Sequence, residues 1–250
     1  MRLFKAVKHL FTHYKFIMPT FLIGSVLFYG LTHFLPFIGT VLILPIHVGI
    51  AYVMLKAASN KNNENRLHVF EGFKKGVYGT NVVFLFLRQI AYLLPLFIGG
   101  FLFAFFRGFV SSFSLPYGVS ILNAVVFIIP SMVLSLMLAM VPYLLADHRF
   151  DQTKRNPFKA SLYIMKGNYI KLLLIRAFFI PWLILQSSTV IYTLISYYER
   201  FVGETDLPLS YMPFIYLVLP LVFLIFLPWY HMMHAELYVK NRHKLNDVPK

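Results

Sequence analysis

FIMPTFLIGSVLFYGLTHFLPFIGTVLILPIHVGIAYVML, residues 16–55, runs for 40 residues without an aspartate, glutamate, lysine or arginine. A membrane-spanning helix needs about 20 apolar residues. The stretch therefore holds two spans, with a turn near 32–39. Further charge-free runs follow at 89–106, 108–146, 177–198 and 207–235. Together they predict six spans, near 17–34, 38–57, 80–105, 119–146, 170–197 and 211–238. Pro45, Pro95, Pro130, Pro142, Pro181, Pro220 and Pro228 fall within or beside these spans. Proline breaks helices in water. In a membrane bundle, neighbouring helices can re-satisfy the carbonyls it frees, so kinked helices are expected. No alternation of the kind that marks β-barrel strands is present. The fold class is all-α, a polytopic bundle in one membrane domain, 1–250.

Composition agrees. Hydrophobic residues make up 59% of the chain and charged residues 13%, against about 45–50% and about 25% in soluble domains. Mean hydropathy is +0.70. The formal net charge of +14 would point to nucleic acid in a soluble protein. Here the basic residues lie between apolar runs, and an anionic membrane surface is the simpler partner. Cysteine is absent, which excludes disulfides and thiolate metal sites. The basic start, MRLFKAVKHLFTHYKF, precedes an apolar run much longer than a signal-peptide core and no A-x-A-like site follows, so no cleavage is expected.

Lysine and arginine set the orientation. Nineteen lie in the N-terminal segment, the segments after spans two and four, and the tail; only Arg107 and Arg200 lie opposite. Both termini are therefore cytoplasmic and the number of spans is even. Arg88 and Arg176 lie inside spans.

The basic segments are themselves patterned. Leu3, Phe4, Val7, Leu10, Phe11 and Tyr14 share one helical face, as do Leu67, Phe70, Phe73 and Val77. In the third segment Asn156 can cap, Pro157 suits a first turn, and Phe158, Leu162 and Met165 form a stripe. Basic amphipathic helices of this kind lie in the membrane interface. Phe70, Gly79 and Arg88 are spaced nine and nine, as are Phe158, Gly167 and Arg176. The chain reads as three parallel units, each an interfacial helix followed by a transmembrane hairpin.

From about residue 65 to 240 the chain resembles a domain-of-unknown-function family of six-span membrane proteins of Gram-positive bacteria. The resemblance is carried by VFEGFKKG (69–76), YLLADHRFD (143–151), KASLYIMKGNYIKLLLI (159–175) and LPWYHMMHAELY (227–238). Asp147, Ser161, Met165, Lys166, Gly167, Trp182, Pro228, Ala235 and Tyr238 sit at matching positions. Ser131 stands where the family tends to have glycine, and Trp229 interrupts its Pro-Tyr. The family is similar to the membrane domain of some glycerophosphodiester phosphodiesterases, which implies lipid-related work without a defined activity.

Arg88 and Arg176 are the foremost site residues, because a charge within a span is costly. They would hold an anionic headgroup or substrate; the alternative is that they snorkel to the inner interface. His231, His234 and Glu236 cluster near the inner end of span six, a thin ligand set for a metal. Asp147 with His148 could form an acid–base pair, or simply end a helix. No P-loop, G-x-S-x-G, H-E-x-x-H or EF-hand pattern occurs, and no cofactor is expected. The expected function is a non-enzymatic membrane protein, an accessory or scaffold factor for a transport, envelope or immunity system. The alternative is a transporter or lipid-handling protein. Partners are anionic phospholipids of the inner leaflet, then other membrane proteins such as a transporter, and no nucleic acid.

Topology is checked by cysteine accessibility in this cysteine-free chain. Single cysteines at positions 62 and 155 are expected to resist a membrane-impermeant reagent applied from outside. Labelling of either overturns the orientation.

Overall fold

Charge-free segments rich in leucine, phenylalanine and isoleucine form long helices in this protein. The computed structural model describes residues 2–34, 36–59, 68–74, 76–109, 129–147, 156–179 and 225–247. Among them there are helices and turns and no strand. The helices are α1 (Arg2–Thr12), α2 (Tyr14–Phe34), α3 (Pro36–Ala58), α4 (Tyr78–Phe109), α5 (129–137), α6 (Val141–Ala146), α7 (Pro157–Met165), α8 (169–179) and α9 (Leu227–Asn241). Short 3-10 turns occupy Glu71–Phe73 and Arg242–Asp247. Helices α2, α3 and α4 fall where the first three spans are expected. Helices α5 and α6 cover the C-terminal part of the expected fourth, α8 the start of the expected fifth and α9 the end of the expected sixth. The rest of spans four to six, Trp182 and the loop 198–210 lie outside the described residues. Among the described residues, two helices are long and apolar enough to cross a membrane, Tyr78–Gly99 and Ile129–Ala146; Leu44–Ala58 is a shorter apolar helix.

Helix α3 is the centre of the packing. It meets α2, α4, α6, α9 and the 3-10 turn at Glu71–Phe73. Leu44, Ile46, Val48, Ile50, Ala51, Val53, Met54 and Ala57 are all buried, so 44–57 of α3 is covered over most of its surface, with His47, Tyr52 and Lys56 half-buried. Glycines permit its closest contacts. A Cβ on Gly24 of α2 would press on Ile46 and Ile50 at 3.2 Å. A Cβ on Gly49 would lie 2.2 Å from Val69 O, and one on Gly72 would lie 2.1 Å from Pro45 O. The backbone of 68–72 therefore rests directly on α3.

That contact corrects the second expected amphipathic helix. Residues 68–74 form a 3-10 turn rather than an α-helix. His68, Val69 and Gly72 are buried; of the expected stripe Phe70 is exposed, Phe73 and Val77 are half-buried, and Leu67 lies outside the described residues. Burial alone would raise the Glu71 carboxyl. Hydrogen bonds from Lys74 and His68 outweigh it and hold the group below its ordinary value. Lys74 Nζ lies 2.5 Å from Oε2 and His68 Nδ1 lies 3.1 Å from Oε1.

The other two segments are helical, but rotated from expectation. Helix α1 buries Ala6 and Leu10 and packs on α9, leaving Phe11 exposed. Helix α7 is capped as expected, with Asn156 Oδ1 accepting from the Phe158 N–H at 2.8 Å. It buries Pro157, Ala160, Ser161, Ile164 and Met165, while Phe158 and Leu162 are only half-buried.

The repeat also takes a different register. Positive φ occurs at Gly76 (94°) and Gly167 (78°), each one turn residue before a long helix begins. Gly79 lies inside α4. The equivalent glycines are thus Gly76 and Gly167, in Lys-Gly-Val-Tyr (75–78) and Lys-Gly-Asn-Tyr (166–169). Helices α2, α4 and α8 all begin on a tyrosine, Tyr14, Tyr78 and Tyr169. The three-unit reading therefore keeps a common mark, while the nine-residue spacing in unit two does not hold.

Large apolar side chains cover the outside. Phe97 and Phe101 of α4 are 71% and 72% exposed, and Ile170 and Leu174 of α8 are 74% and 64% exposed. Ile129, Met132 and Val133 of α5 are exposed as well.

Gly72→Ala drives a methyl group into the Pro45 carbonyl. It is expected to cost about 1–3 kcal/mol, read as a lowered unfolding midpoint in detergent micelles. Because the Glu71 pKa is depressed on folding, its contribution is present above the ordinary carboxylate range and lost as pH falls below it. Glu71→Gln is expected to flatten that acid limb in the same assay.

Candidate functional site

Proline has no N–H, and Pro142 therefore leaves the carbonyl four residues before it, Leu138 O, without its helical donor. Helix α5 stops at 137, a turn spans 138–140, and α6 restarts at Val141. The neighbouring bonds shift. Val141 N–H bonds to Leu138 O at 3.3 Å rather than to Met137 O, and Ala139 N–H bonds to Leu136 O at 3.4 Å rather than to Ser135 O. Three carbonyls near the end of α5 are thereby released, wholly or in part.

Each meets a side chain from a different element. Ser161 Oγ of α7 donates to Met137 O at 2.7 Å. Arg176 of α8 spans Ser135, with Nη2 donating to its carbonyl at 2.9 Å and Nη1 to its hydroxyl. Tyr92 of α4 directs its hydroxyl to Leu138 O at 3.5 Å. Arg88 Nε donates to that hydroxyl, and its guanidinium lies 5.0 Å from the Tyr92 ring centroid. Arg176 thus ends on α5, whereas Arg88 acts within α4, on the Tyr92 hydroxyl that reaches Leu138 O in the turn after α5. A helix C-terminus carries partial negative charge and attracts cations. The Arg176 guanidinium sits in the last turn of α5, where that charge is.

A second layer ties α6 to α9. Tyr238 O–H donates to Asp147 Oδ2 at 2.9 Å. Tyr143 O–H donates to His231 O at 3.0 Å. Its ring stacks with His234 and Tyr238 at centroid separations of 6.4 and 6.3 Å. His234 Nδ1 donates to Tyr230 O at 2.8 Å, so its proton is on Nδ1. Pro228 and Ala235 are buried in the same helix. A third layer joins α7, α8 and the tail. Asn168 Nδ2 donates to Asn241 Oδ1 at 2.9 Å and to Ile164 O at 3.0 Å. Lys244 Nζ donates to Lys166 O at 2.7 Å. Met165 is fully buried and Gly167 makes the turn.

The motif positions Asp147, Ser161, Met165, Lys166, Gly167, Pro228, Ala235 and Tyr238 therefore gather at joints among α6, α7 and α9. Ser131 and Trp229 are both in use. Ser131 Oγ donates to Tyr92 O, and Trp229 packs edge to face on Phe178 and Phe179 at 5.4 and 5.3 Å. His231 and His234 stand beside Tyr143, whereas Glu236 faces α1, 3.9 Å from His9 Nδ1. No group of three metal-binding side chains occurs among the described residues. His148 lies outside them. The sequence reading missed Tyr92, Ser135, Tyr143, Asn168 and Asn241. One signal bore on the first: a proline at 142 removes the helical donor of Leu138 O, four residues earlier, which the Tyr92 hydroxyl reaches. Comparison with protein-family models, curated proteins and solved structures finds no match.

Ser161→Ala withdraws one donor and is expected to cost about 1–3 kcal/mol. Arg176→Leu withdraws two and should lower the unfolding midpoint in micelles further than Ser161→Ala does. Arg176→Leu with an unchanged midpoint would remove the role assigned to that guanidinium.

Proposed function

We propose that the chain is a multi-pass protein of the cell membrane, with six spans as three parallel hairpins and both termini in the cytoplasm. It works without catalysis, as an accessory or scaffold factor for a transport, envelope or immunity system. The observation that carries this reading is where its costly polar groups are used. Arg176, Ser161 and the Tyr238–Asp147 pair bond between helices, and Arg88 bonds to Tyr92 of its own helix, whose hydroxyl reaches Leu138 O. Membrane residence is supported by the spans Tyr78–Gly99 and Ile129–Ala146 and by the exposed phenylalanines and leucines of α4 and α8. A water-facing surface that apolar would be a liability. The basic segments supply the attraction to anionic inner-leaflet phospholipids, about 1 kcal/mol per lysine or arginine near the surface.

A second reading, lipid handling, is favoured by one observation. A groove of about 650 Å³ opens between α8 and α9, with apolar walls and lysines at its rim.

The two readings separate on affinity purification of the tagged full chain from its native membrane in mild detergent. The scaffold reading expects a second membrane protein in stoichiometric amount. Elution of the chain with phospholipid alone replaces it by the lipid-handling reading.

A further inference from the structure

Helices α8 and α9 touch at two levels and part between them. At the cytoplasmic end, the buried Asn168 and Asn241 bond at 2.9 Å. At the other, Phe178 and Phe179 pack on Trp229, and Phe179 on Tyr230 at 5.4 Å. On α8 the two contacts are about 15 Å apart, at 1.5 Å per residue. The groove of about 650 Å³ lies between them, a volume within the usual range for small-ligand sites.

Its lining has two characters. Leu174, Met233 and Leu237 form an aliphatic wall. Leu174 is 64% exposed and continues into the apolar surface of Ile170 and Phe178. The groove therefore opens sideways onto the apolar exterior. Lys171 and Lys240 line its cytoplasmic end, within a turn of the asparagine pair. Lys171 is oriented by Asn168, whose Oδ1 accepts from Nζ at 3.1 Å. Glu236 shares the lining, but its carboxylate lies toward His9 of α1.

We propose that this groove holds one anionic phospholipid of the inner leaflet, with an acyl chain along Leu174, Met233 and Leu237 and the phosphate between Lys171 and Lys240. An aliphatic wall continuous with the lipid-facing surface takes an acyl chain. Two ammonium groups at the level of the inner interface take a phosphate. The proposal rests on the membrane reading above and gives the lipid-handling alternative a specific site.

Native mass spectrometry of the full chain, released from micelles containing dioleoylphosphatidylglycerol or dioleoylphosphatidylcholine, tests it. One phosphatidylglycerol is expected to stay bound, in preference to phosphatidylcholine. Lys171→Gln with Lys240→Gln should weaken retention about 25-fold, about fivefold for each lysine. Leu174→Trp, which fills the groove with both lysines in place, should also expel the lipid. Lys8→Gln with Lys159→Gln, the same charge change at exposed positions on α1 and α7, should leave retention unchanged. Equal loss in that control pair, equal retention of phosphatidylcholine, displacement by inorganic phosphate, or no effect of Leu174→Trp each overturns the proposal. Alkaline carbonate extraction of the same membranes separates the two levels. A chain that stays in the membrane yet retains no phosphatidylglycerol sinks the groove alone. A chain that is extracted sinks the membrane reading with it.

Discussion

Backbone carbonyls that lose their helical donors where a helix breaks are the constraint around which the helices are arranged. Pro142 leaves Leu138 O only the 3.3 Å bond from Val141 N–H, and the turn at 138–140 moves donors away from Ser135 O and Met137 O. A buried acceptor left unpaired costs about 1–3 kcal/mol. The chain answers with donors from α4, α7 and α8. Each donor has a fixed reach and direction. Meeting all three carbonyls therefore fixes the rotation and height of three helices around α5.

Below that level the packing changes in kind. Helix α3 is held by close apolar contact, with glycines at Gly24, Gly49 and Gly72 letting neighbours approach. Helix α9 is held by polar ties, Tyr238 to Asp147 and Asn241 to Asn168. Close packing and interhelical hydrogen bonds both hold helices together, and α3 and α9 rely on one each.

The sequence was legible where a single element decides its own state. The charge-free runs located α2, α3 and α4, and Asn156-Pro157 located the start of α7. It misled where another element decides. The 66–77 pattern has helical spacing, yet Gly72 lets the backbone sit on Pro45 of α3, and the segment takes a 3-10 turn. In α7 the hydroxyl of Ser161 must face Met137 O, so Ser161, Ala160 and Ile164 turn inward. Phe158 turns instead to Phe84, 5.5 Å between centroids. The nine-residue spacing drew attention to Gly79, whereas the backbone needs its glycine at Gly76, where φ is positive. The arginines were visible as charges in spans. Their acceptors were not: Arg176 meets a carbonyl, which carries no residue identity and is freed by a break in a different helix, and Arg88 meets the hydroxyl of Tyr92 one turn along its own helix.

The proline and the arginines are best understood as one device. A guanidinium within an apolar span is expensive to place, and a broken helix within a span is expensive to leave. Together each offsets the other, since the broken end of α5 offers carbonyls and negative potential where the guanidinium needs both. The choice of arginine at 176 follows from the same geometry. Its planar fork bonds the hydroxyl and the carbonyl of a single residue, Ser135, at once. A lysine there would bring one ammonium, more strongly hydrated and without a fixed fork. Arg88 solves the problem differently, by orienting the Tyr92 hydroxyl that reaches Leu138 O. The two arginines thus act around the same helix break by unequal routes, one directly and one through a tyrosine.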